Sequence, residues 1–150
     1  MGKLLTMYGI EAEISTTGDA EQATFAELSD GIDNLSEALN EVVQQYFFMS
    51  GQGFATNEVT GMAPAVTLTG RRIIGDPAQD YIFSKKYALG SERKTKFRLT
   101  FLNSENKKEI LECEVTICNM QEWSGATTDH SAISFEIRFN GKPTVNTELT

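Results

Sequence analysis

A chain of 150 residues is long enough for one domain that buries about two-thirds of the surface its unfolded form exposes. An apolar content of 40% and a charged content of 23% are those of a globular protein, and no apolar run approaches the ~20 residues that span a bilayer. The net charge of −8 argues against a protein that grips DNA, because phosphate binding depends on clustered Lys and Arg.

The start of the chain, Met1 to Thr6, carries one positive charge, and its short apolar stretch soon meets Glu11 and Glu13, so we expect no secretory signal. A strand is expected around Ile10–Ile14, and Thr16–Thr24 reads as a loop or arm. Residues 1–24 as a whole read as a possible N-terminal arm. From 31 to 62 the pattern is ambiguous. Leu35, Leu39, Val42, Val43, Tyr46 and Phe47 repeat at helical spacing. Yet Tyr46-Phe47-Phe48-Met49 is bulky and wholly apolar, and Ser50-Gly51-Gln52-Gly53 after it suits a strand entering a hairpin. Residues 31–49 therefore stay open between helix and strand, and 31–62 reads as a long loop or hairpin.

A strand is expected through Val66-Thr67-Leu68-Thr69. One helix follows over Pro77–Tyr87: Asp76 can cap it, Pro77 suits the first position, and Gln79 sits where a capping-box partner belongs. Lys85 and Lys86 fall where cations complement the dipole, and Gly90 stops the helix. Three strands then show apolar/polar alternation. In 97–101 it is carried by Phe97, Leu99 and Phe101, and in 111–117 by Leu111, Cys113, Val115 and Ile117. In 133–139 it is carried by Ile133, Phe135, Ile137 and Phe139. The links 103–109 and 121–131 are polar. The class is mainly β, a sandwich or barrel-like pair of sheets with one flanking helix.

Cys113 and Cys118 lie five positions apart in one expected strand, on opposite faces and about 16 Å apart at ~3.3 Å per residue, too far for a disulfide. Two free thiols follow. Charge is unevenly placed: residues 1–62 hold one base against ten acids, net −9, whereas 63–150 hold twelve bases and eleven acids, net +1. Lys85, Lys86, Arg93, Lys94, Lys96 and Arg98 form a basic stretch, which is either a solvated surface or one complementary to the acidic part of another copy.

No chemistry-bearing constellation stands out. Asp129-His130-Ser131 are adjacent on a loop, where successive triad hydrogen bonds are hard to form. Two thiols on opposite faces and one distant histidine do not make a zinc site, and Asp30–Asn34 lacks the oxygen spacing and terminal Glu of a calcium loop. Asp76 and Asp80 lie four apart as a metal pair would, but capping and the helix dipole account for them. Gly51-Gln52-Gly53 begins a dinucleotide fingerprint, but its sixth position is Thr56 and no βαβ unit surrounds it. We expect no catalytic residue, metal site or cofactor.

The segments GFATNEVTG at 53–61, TLTGRR then GD across 67–76, DPAQDYIF at 76–83 and FNGKPT at 139–144 together resemble the tail tube (major tail) proteins of long-tailed, non-contractile bacteriophages and related prophages. The resemblance covers roughly 31–144. It implies a tail-tube-like fold, no enzyme activity, and a structural virion protein. Such a protein self-assembles into stacked, hexameric rings around a conduit for genome DNA. It implies that 31–62 bridges subunits, and that tape measure, tail terminator and distal tail proteins are partners. DNA passes without specific binding, no membrane is involved, and the tail is assembled in the host cytoplasm.

On this reading Tyr46, Phe47, Phe48, Met49 and Phe54, with Lys85, Lys86, Arg93 and Lys94, are candidate inter-subunit residues. Glu112 and Glu114, on a polar strand face, are candidates for the lumen. The alternatives are a tube of a contractile tail or type VI-like secretion system, and a non-catalytic β-sandwich binding module. For the latter, Trp123 is the one candidate platform; otherwise it anchors a loop against the sheet.

Overall fold

The computed structural model describes residues 2–147; Met1, at the head of the expected N-terminal arm, and residues 148–150 lie outside the described residues. Ten strands and one helix follow in order: β1 (Glu11–Ser15), β2 (Phe25–Glu27), β3 (Ile32–Ala38), β4 (Glu41–Tyr46), β5 (Thr56–Met62), β6 (Ala65–Arg71), α1 (Pro77–Ser84), β7 (Lys94–Leu102), β8 (Lys108–Gln121), β9 (Ala132–Phe139) and β10 (Thr144–Thr147). One sheet has the order β2-β1-β7-β8-β9-β6-β3, with β10 also on β8, and a second sheet is the hairpin β4-β5. All pairings are antiparallel.

Alternation builds the core. Ala12 and Ile14 of β1, Val66 and Leu68 of β6, Phe97 of β7, and Cys113, Val115 and Ile117 of β8 are buried on one face, with Ile133, Phe135 and Ile137 of β9. Helix α1 closes this core with Ala78, Ile82 and Phe83, the last ring edge-on to Phe135 at 6.1 Å. The strands at opposite ends of the sheet order, β1–β2 and β3, line one groove of about 430 Å³. The sheet is thus rolled towards a barrel, with a seam between β1 and β3.

The expected strands at 97–101, 111–117, 133–139 and 66–69 all form, each longer than its pattern. After the strand at 133–139, Thr144–Thr147 adds a further strand, β10. The choice between helix and strand over 31–49 falls to strand, with β3 and β4 in it and Met49 opening a short 3-10 turn: β3 and β6 form the base of a long hairpin and β4 and β5 its distal half. Between the two halves the ladder breaks. Asn40 adopts the left-handed region (φ 49°), its Nδ2 donates to the Ala63 carbonyl at 2.9 Å, and Pro64 has no N–H to contribute. At the base, Gly31 and Gly70 pass so closely that a Cβ on Gly70 would lie 1.9 Å from the Gly31 carbonyl oxygen.

Helix α1 is capped as expected, Asp76 Oδ2 accepting from the Gln79 N–H at 3.0 Å. It ends at Ser84 rather than Tyr87, because Lys85 and Lys86 donate i→i+3 bonds to Ile82 and Phe83 and tighten the turn. Gly90 (φ 65°) instead starts the turn Gly90–Arg93. Gln79 is no capping-box partner. Its side chain is fully buried, accepts from the Ile73 N–H at 2.8 Å and donates to the Asp30 and Arg71 carbonyls, joining α1 to the hairpin base.

Candidate assembly surfaces

Three surfaces remain once the core is accounted for. The first is the distal hairpin, exposed on both faces. Val42, Val43, Val59 and Met62 are about half exposed, and around the tip Phe47 is 68%, Met49 99% and Phe54 81% exposed. Tyr46 and Phe48 stack on each other at 5.6 Å, which orders the tip but leaves it open. Isolated two-stranded hairpins are marginal in water. Apolar side chains on both faces of one, without partners in their own chain, are the mark of a surface made to be covered. Both charges in this distal hairpin, Glu41 and Glu58, are negative, and Asp33 and Glu37 of β3 lie next to it in the chain.

The second surface is the polar face of the rolled sheet. Residues directly opposite share a face, so the register gives a row Glu27–Glu13–Arg98–Glu112–Thr144 and, beside it, Lys96 opposite Glu114. Arg98 lies 3.7 Å from Glu112, with its guanidinium 3.9 Å above the Phe25 ring. Glu114 is exposed. Glu136 pairs with Arg138 on the same face, which is strongly charged but of mixed sign.

The third surface lies beyond the Arg71–Ala132 end of β6 and β9. Here Glu122 receives Arg72 Nε and Lys86 Nζ, each at 2.8 Å, while Arg72 Nη2 reaches Asp80 at 2.8 Å. Burial opposes the charge on Glu122, but the hydrogen bonds from Arg72 and Lys86 outweigh it and lower its pKa. Burial likewise opposes the Arg72 cation, and Glu122 and Asp80 reverse that and raise its pKa. This lattice fixes the 121–131 loop on α1. Trp123 does not anchor the loop inward: it is 70% exposed, and Lys86 Nζ sits 3.2 Å from its ring centroid. The Tyr87 ring centroid lies 5.3 Å from the same ammonium.

The basic stretch is partly used within the chain. Arg93 donates to the carbonyls of Ala88, Lys86 and Ile117 and so shapes the 86–93 turn. Lys85 and Lys94 are in no ion pair among the described residues. In the Asp129–Ser131 loop, Ser131 Oγ donates to the Glu122 carbonyl at 2.6 Å, and Asp129 Oδ2 accepts from the Ala126 N–H. His130 is exposed, with its carbonyl accepting from Arg71. These three side chains are not strung into a relay. Among the described residues no His/Cys/Asp/Glu group is arranged to hold a metal ion. Both cysteines are free; burial pushes the Cys113 thiol up. No helix among the described residues is long and apolar enough to cross a membrane.

No protein-family model matches the sequence, and no curated protein matches it. The fold is nevertheless shared with solved structures. The tail of an empty gene transfer agent particle, solved with C6 symmetry, superposes with a TM-score of 0.73 at 10% identity, over 95% of this chain and 99% of that one. The SPP1 tail tube gives 0.68 at 14% identity, over 98% and 81%. The sheath–tube complex of the PVC extracellular contractile injection system gives 0.60 at 9%, over 97% and 93%. The chain therefore has the tail tube fold, mainly β with one helix, as its sequence resemblance implies.

Proposed function

We propose that this protein is a tail tube subunit of a non-contractile bacteriophage or related prophage, which self-assembles into stacked hexameric rings that conduct genome DNA. The observation that carries the reading is the distal hairpin. It holds Val42, Val43, Phe47, Met49 and Phe54 in water on both faces of a hairpin, whereas the strands of the main sheet bury their apolar face. An edge or hairpin left this way invites pairing with other chains, and in a tube the neighbour satisfies it.

The hairpin, with Tyr46, Phe47, Phe48, Met49 and Phe54, bridges subunits. Of the expected arm 1–24, Glu11–Ser15 is a strand of the sheet with Ala12 and Ile14 in the core, and the exposed residues 2–9 ahead of it form a second connecting segment. Lys85 and Lys94 meet acidic surface on a neighbour, while Lys86 and Arg93 hold the contour that presents them. Glu112 and Glu114 face the lumen and help keep DNA from sticking, since multi-phosphate neutralisation would trap it. On this reading the protein catalyses nothing and resides in the virion tail after assembly in the host cytoplasm. Tape measure, terminator and distal tail proteins are its partners.

Negative-stain electron microscopy over a concentration series, with light scattering, tests this: rings with a central hole or tubes are expected, and a monomer at all concentrations overturns it. The likeness to the PVC sheath–tube complex favours a second reading, the tube of a contractile particle. Sheath protein co-sedimenting with the tubes would select that reading.

A further inference from the structure

The apolar hairpin tip and the aromatic surface around Trp123 stand at opposite ends of the molecule. The hairpin leaves the sheet at Ala65 of β6, whereas Arg72, Glu122 and Lys86 gather beyond Arg71 at the other end of the same strand. Seven residues of β6 separate the two by ~20 Å at ~3.3 Å per residue, and β4 carries the tip further away still. One chain cannot bring them together.

Each surface lacks what the other has. Tyr87, which shares the Lys86 ammonium with Trp123, is 83% exposed, and Leu89, two residues further along the chain, is 85% exposed, an unusual set of large side chains to leave in water. Trp and Tyr are the residues most enriched at binding hot spots. Their posture is fixed in advance, because Lys86 is clamped by Glu122 and lies against both rings. Arg71 and Lys85, in no ion pair among the described residues, add positive charge at this end, while the only charges of the distal hairpin are Glu41 and Glu58.

We infer that the tip of the hairpin (Phe47, Met49, Phe54) of one copy docks on the Tyr87–Leu89–Trp123 surface of a second copy of this chain. The contact joins two different patches, so it is heterologous and propagates from copy to copy without self-limitation. It deepens the tube reading by naming the receptor, and it rests on that reading.

Trp123 is the sole tryptophan, so its fluorescence reports this surface alone. The full chain is followed by emission and acrylamide quenching while electron microscopy scores tubes across the same concentrations. Docking predicts that emission moves to shorter wavelength and quenching falls as tubes appear. In separate variants, Trp123→Ala and Met49→Ser each raise the critical concentration about thirty-fold, the ~2 kcal/mol of an aromatic hot spot at ~1.4 kcal/mol per factor of ten. Both residues are exposed, so the variants keep the monomer's circular dichroism. Tubes that form with Trp123 still open to quencher overturn the docking and leave the tube reading standing. Absence of tubes at all concentrations overturns both.

Discussion

The rolled sheet and the hairpin arm are built from the same antiparallel pairing, yet they stand in opposite relations to water. In the sheet, β9 alternates Ile133, Phe135 and Ile137 against Ser134, Glu136 and Arg138, and each apolar member is at most 2% exposed. In the arm, Val43 lies opposite Val59, and both are about half exposed. The sheet completes its burial within one chain. The arm, built from the same antiparallel ladder, does not, and on the proposed reading another molecule completes it. Secondary structure thus does not report which part of a subunit is self-sufficient; burial does.

The strongest way to break this contrast is at the hairpin base. Gly70→Ala drives a Cβ to 1.9 Å from the Gly31 carbonyl and 2.8 Å from the Ile32 Cα, both backbone atoms that cannot rotate away. We expect a loss above ~4 kcal/mol, the range of severe backbone or packing conflict, read as failure to fold or a collapsed urea midpoint.

Next comes the Glu122 cluster. Glu122→Ala leaves Arg72 and Lys86 facing each other without their shared carboxylate, at a cost of about 2 kcal/mol. That is below the ~3–5 of a fully buried pair because water still reaches the site. The wild type carries the same effect in its pH profile. With the folded pKa of Glu122 lowered, its contribution is present above the usual carboxylate value of ~4.3 and disappears as pH falls through the lowered one. Acid titration of urea midpoints should show that loss in the wild type and a shallower one in the variant.

Asp76→Ala removes the α1 cap and should lower stability by ~1 kcal/mol, detectable by the same denaturation. At the bottom of the scale, Phe54→Ser at the tip should change monomer stability by under ~0.5 kcal/mol, while sedimentation shows it impaired in assembly. A Phe54→Ser variant that unfolds the monomer would erase the distinction between the two regions.

The sheet was legible in the sequence where one face is buried and the other wet, since period two then appears in the residues themselves. The arm was not. With no face buried in its own chain, β4 has nothing to enforce alternation. The sequence sets two valines, Val42 and Val43, in succession, and the register shift there leaves Thr60 of β5 as the extra residue. Leu35, Leu39, Val42, Val43 and Tyr46 then imitate helical spacing. Short strands escaped for a related reason: β2 is three residues long, and β10 is exposed throughout and owes its conformation to pairing with β8. Gln79 was assigned to the wrong bond because its partners, the Asp30 and Arg71 carbonyls, belong to segments that only the fold brings together. Tyr46 to Phe54 drew attention by bulk. Trp123 and Tyr87 signalled less, because their meeting at Lys86 joins loops 36 residues apart.

The break in the ladder at Asn40 and Pro64 has a bearing on timing. It uncouples the arm from the cooperative unit of the sheet, so arm amides should exchange with solvent while those of β7–β9 stay locked. On the tube reading, a free subunit then holds its arm loosely, and each contact must order the arm of one copy against a receptor already fixed on the next. That ordering cost recurs with every addition, so a loosely jointed hairpin sets how readily the polymer grows.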